Sequence, residues 1–105
     1  MALLDNPAPG IGGGRAVVTT ATTAVVLTST DTSVAWVIIQ AETDNTGKVA
    51  VGDSGVVAAI GTQSNGVILT AGESVTLPVA DLNALYIDST VSGDGVTYFY
   101  GKTPR

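Results

Sequence analysis

The chain has 105 residues, enough for one domain with a single modest core. Hydrophobic residues make up 45% and charged residues only 12%, so the mixed charged surface that keeps soluble monomers apart is missing. The net charge of −5 with four basic residues excludes a phosphate-neutralising nucleic-acid surface, and the absence of cysteine and histidine excludes disulfides, thiolate metal sites and imidazole bases.

Residues 1–15, MALLDNPAPGIGGGR, carry two prolines and then four glycines, a composition that holds neither a helix nor a central strand. They are expected to form an extended N-terminal arm, with residues 16–105 as a single β domain. Leu3, Leu4, Pro7, Pro9 and Ile11 give the arm apolar contact points that an idle tail does not need, and Arg15 stands at its base. The opening has no basic segment before an apolar run, unlike a signal peptide. No stretch reaches the roughly 18 apolar residues of a membrane span. A soluble protein used without export is expected.

From Ala16 onward the pattern is β. AVVTT and TAVVLT are β-branched runs joined near Ala21 and Thr22. Val34–Ala41, VAWVIIQA, is apolar on both alternations, which predicts a strand buried on both faces. Asn45-Thr46-Gly47 has hairpin-loop chemistry and KVAVG follows as the return strand. SVTLPV places Val75, Leu77 and Val79 inward, and Pro78 marks it as an edge strand. ALYID and GVTYFY close the domain around Gly93-Asp94-Gly95. Short strands with frequent turns predict an all-β fold, a small antiparallel β-sandwich or jelly-roll-like barrel.

Few residues offer chemistry. Gly52-Asp53-Ser54-Gly55 matches the surroundings of a serine-protease nucleophile, but Ser54 has no histidine to activate it and no Ser-x-x-Lys spacing, so a turn is expected there. Glu42 to Asp53 has the spacing of a calcium loop, with Glu at position 1, the short Asp53 at position 12 and strand patterns at both flanks, which favours a hairpin with solvated acids. Tyr98 and Tyr100 share one strand face; they either plug the core with hydroxyls at its rim or stack on a sugar, as in a carbohydrate-binding module. Neither an enzyme mechanism nor a cofactor or metal site is expected.

The succession VIIQAETDNTGKVAVGDSGV and GVILTAGESVTLPVADLNALYIDSTVSGDGVTYFY resembles small β-rich virion proteins of tailed bacteriophages, most of all head decoration (cement) proteins. The resemblance covers roughly residues 34–100 and rests on turn grammar. It implies a structural protein that assembles in the host cytoplasm, binds the outer head surface and stabilises the shell. The partners implied are the protein itself, as a homotrimer, and the major capsid protein. A place at a head vertex, collar or tail is the alternative within the same class. In this picture Leu3, Leu4, Pro7, Pro9, Ile11 and Arg15 of the arm are the capsid contact.

Overall fold

The computed structural model describes residues 10–58 and 65–102. Within them the chain forms strands β1 (Ile11–Val17), β2 (Val25–Val26), β3 (Val34–Ala41), β4 (Val49–Gly52), β5 (Val67–Leu69), β6 (Ser74–Leu77), β7 (Tyr86–Ser89) and β8 (Gly95–Lys102). All pairings are antiparallel, and they nest: β4 with β5, β3 with β6, β2 with β7, β1 with β8. The chain is thus one long hairpin with its tip at β4 and β5. Contacts of β3 with β8 and of β4 with β7 roll that hairpin into two sheets, β1-β8-β3-β6 and β2-β7-β4-β5. This is the strand order of a jelly roll, so the expected sandwich is present.

The core lies between the sheets. Val37, Ile39 and Ala41 of β3 and Val96 of β8 face Val49 and Val51 of β4 and Ile87 of β7, each 0–1% exposed. β-Branched side chains fill a pleated surface well, and burying each of these Val and Ile residues contributes roughly 1.5–3 kcal/mol. Val75, Leu77 and Val79 pack against this core as the alternation predicts, and β6, just before Pro78, is an edge strand.

Three expectations need correction. First, the strand at the start of the domain begins earlier: Ile11–Arg15 belong to β1, and only residues 1–9 of the expected arm lie outside the described residues. β1 tolerates its glycines because it is an edge strand, and because Tyr98 and Tyr100 of β8 lie over them. A Cβ on Gly14 would stand 2.5 Å from the Tyr98 hydroxyl oxygen, and one on Gly12 2.6 Å from that of Tyr100. The tyrosines supply the packing that the glycines lack.

Second, β3 is buried on one face only. A bulge between Val34 and Trp36 resets the alternation, so Val34 is buried in phase with Val37 and Ile39, while Ala35, Ile38 and Gln40 are exposed. Third, Asn45-Thr46-Gly47 is not a hairpin loop, since β3 and β4 lie in different sheets. The loop arches across the end of the sandwich. It is fixed to the β7–β8 connection by Asn45, whose side chain bonds both the N–H and the C=O of Gly95, and by Asp94, which accepts from the N–H groups of Thr46 and Gly47.

At the opposite end Asp81 caps a single 3-10 turn, Leu82–Ala84, and its carboxylate accepts from the N–H groups of Asn83 and Thr32. That cap holds Leu82 in the end of the core, 1% exposed.

Candidate interaction surface

The outer faces of the two sheets are treated differently. On the β2-β7-β4-β5 sheet the chain covers itself: Val56 and Ala58 fold back over Ala50 and pack with Ile68 and Tyr86. Asp88, buried in that face, fixes the covering segment by accepting from the Ala58 N–H at 2.9 Å. Nothing among the described residues covers the outer face of the β1-β8-β3-β6 sheet.

That open face is apolar at its centre. Strand register places Ile38 of β3 beside Phe99 of β8, and Phe99 beside Gly13 of β1. One row further on, Trp36 lies beside Gly101, and Gly101 beside Ile11. Phe99 is 45% exposed, Ile38 36% and Ile11 64%. The Trp36 and Phe99 rings are tilted against each other with centroids 6.2 Å apart, within the range of a favourable aromatic pair. Gly13 is exposed beside Phe99, whereas Gly101 is buried beneath the Trp36 indole, which lies flat on the strand.

A polar band borders the patch. Arg15, Thr97, Gln40 and Ser74 form the adjacent row across the sheet. Beside it Gln40, Glu42, Thr43, Asp44 and Thr97 line a shallow concavity. An apolar patch rimmed by polar side chains on one sheet face is the feature of the described surface that sets this sheet apart from the self-covered one. Among the described residues no group of three or more Asp, Glu, His or Cys side chains is placed to hold a metal ion.

The residues singled out from sequence are distributed as follows. Ile11 sits at the margin of the patch, while Leu3, Leu4, Pro7 and Pro9 lie outside the described residues. Arg15 pairs with Glu42 of its own chain, Nε to one carboxylate oxygen and Nη2 to the other at 3.0 Å. The hydrogen bond to Glu42 and its charge, in that order, raise the guanidinium pKa further above its already high ordinary value.

Tyr98 and Tyr100 stack on each other, with centroids 6.3 Å apart, and turn inward against the core, away from the open face. Ser54 is exposed in a turn closed by the Gly55 N–H to the Asp53 carboxylate and by the Val56 N–H to the Asp53 carbonyl. Asp53 stands beyond the end of β4, so the residues of the calcium-like spacing are not gathered into a loop.

Trp36, Ile38 and Phe99 received no role from the sequence. Their signal was present in the apolar residues on both alternations of VAWVIIQA, and in TYFY, where aromatic side chains occupy both faces of one strand. No protein family, curated protein or solved structure matches the chain.

Proposed function

We propose that this chain is a structural protein of a tailed-bacteriophage particle, a head decoration protein that binds the outer surface of the shell and stabilises it. The observation that carries the reading is the open apolar face formed by Ile11, Trp36, Ile38 and Phe99 on a chain with so few charges. A protein that works alone in solution gains nothing from such a face, whereas one that works on a lattice uses it as contact area. Leu3, Leu4, Pro7 and Pro9 run in sequence straight into Ile11 at the margin of the same face, so the segment proposed to contact the major capsid protein is continuous with it.

The mechanism is mass action. A ligand that binds the assembled shell and not its dissociated subunits shifts the equilibrium toward the shell. Decoration of this kind needs no reacting group, which fits a face without titratable side chains at its centre.

The test is deletion of the gene from the genome that encodes it, with electron microscopy of the particles before and after osmotic shock. Complete but fragile shells are expected, together with restoration by added protein and no restoration by the Phe99→Ser, Ile38→Ser double variant. Particles as shock-resistant as the parent overturn the reading. Copy number in the parent particle separates the head surface, with many copies, from a vertex, collar or tail position, with few.

A further inference from the structure

The four sheet edges are protected unequally. β2 has two residues and β5 three, β6 has four and runs into Pro78, but β1 has seven and contains no proline. Short strands and prolines are the usual means of preventing edge-to-edge pairing, and β1 has neither. Its one charge, Arg15, is drawn back across β8 by Glu42 and does not guard the edge.

The hydrogen-bonding phase of that edge follows from its ends. The Gly10 carbonyl accepts from the Lys102 N–H at 2.7 Å, and Val18 exchanges bonds with residues 93 and 94 at 2.8 and 2.9 Å. In an antiparallel ladder this phase alternates, so Gly10, Gly12, Gly14, Ala16 and Val18 bond toward β8. Ile11, Gly13, Arg15 and Val17 therefore point their N–H and C=O groups away from the sheet.

We propose that β1 is a self-association edge at which two copies of the chain pair, β1 against β1, about a two-fold axis beside Gly14. In this register Ile11 stands opposite Val17 of the second copy and Gly13 opposite Arg15, and every outward N–H meets an outward C=O. The two ends of the contact are apolar pairs, and no charge faces a like charge directly. On the inner side Gly12 meets Ala16 and Gly14 meets Gly14, residues small enough to accept the Tyr98 and Tyr100 hydroxyls that already lie over this strand. The pairing joins two four-stranded sheets into one and merges their two apolar outer faces.

This contact is isologous and closes on two copies, so it is independent of the phage reading and differs from the homotrimer that the resemblance implies. Residue-resolved hydrogen exchange and sedimentation of the full chain test it together. The expected result is a dimer in which the amides of Ile11, Gly13, Arg15 and Val17 gain protection as concentration rises, while those of Gly12, Gly14 and Ala16 are protected throughout and report an intact strand.

The register is tested by charge. The Ile11→Lys, Val17→Lys double variant places like charges opposite at both ends and is expected to weaken the dimer by about tenfold or more, and Ile11→Lys, Val17→Glu restores it. A monomer or trimer in which the four outward amides exchange freely at every concentration overturns the proposal, as does equal behaviour of the two double variants. A trimer of that kind leaves the decoration reading standing.

Discussion

The indole of Trp36 lies across the backbone of Gly101: a Cβ at residue 101 would stand 2.6 Å from both Cε2 and Nε1 of the ring. Gly101 is what allows the largest side chain of the open face to lie flat. Gly101→Ala is expected to lift the indole off the strand and expose it, destabilising the fold by about 1–2 kcal/mol through the forced shift. Trp36 is the one tryptophan, so its emission reports the change directly. A red shift with a lowered urea midpoint is expected; unchanged emission would show that the ring does not rest on Gly101.

How much of this was legible in the sequence depended on whether a signal was local. Alternation in SVTLPV located the inward residues Val75, Leu77 and Val79, because one face of β6 is core and the other is solvent. VAWVIIQA was harder. Its second apolar face looks the same whether the chain covers it or a partner does, and the bulge that changes its phase is a property of pairing with β8. Asn45-Thr46-Gly47 marks a reversal of the chain, but Asn45 bonds Gly95, 50 residues away, and such bonds decide which sheet the chain enters next. Gly12, Gly13 and Gly14 read as an arm because the tyrosines that make a strand of them are more than eighty residues further along. The outer-face patch was spread over three strands, and only strand order gathers it.

Asp94 is the pin that holds the two arches at one end of the sandwich. Its carboxylate, 5% exposed, accepts from the Thr46 N–H at 3.1 Å and the Gly47 N–H at 2.7 Å. Hydrogen bonds to a charged acceptor are the strong ones, and removing the acceptor leaves two backbone donors without it. Asp94→Ala is expected to cost about 3 kcal/mol, and Asp94→Asn, which keeps one acceptor oxygen, clearly less. Chemical denaturation measures both. Equal losses would mean that packing in the arch matters and the carboxylate does not.

Thr22 has φ of 64°, in the left-handed region where a β-branched side chain is strained. Its N–H is held by the Ser89 carbonyl at 3.0 Å, which fixes the turn between β1 and β2 against β7. Asn tolerates this conformation far better than Thr and keeps the N–H. Thr22→Asn is therefore expected to stabilise the protein by about 0.5–1 kcal/mol, read as a higher melting temperature. A lower one would show that the threonine methyl contributes more packing than its exposed position suggests.

Glu73 gives the fold a pH dependence whose sign is fixed by one turn. Its carboxylate accepts from the Thr70 backbone N–H at 2.7 Å, and that bond holds its pKa below the ordinary glutamate value. A group with a depressed folded-state pKa contributes stability that is complete above the unfolded-state pKa and is lost as pH falls through the folded one. Glu73→Gln removes this contribution without removing the side chain's length. The stability difference between wild type and variant is expected to be constant at neutral pH, to shrink as the solution is acidified below the ordinary glutamate range, and to level off once the carboxylate is protonated in both states. Urea midpoints for the two proteins across that range measure it. A difference that stays constant into strong acid would mean that the Thr70–Glu73 bond does not distinguish the charged from the neutral carboxyl, and that the turn between β5 and β6 is held by its backbone bond, Glu73 N–H to Thr70 carbonyl at 2.9 Å, without help from the side chain.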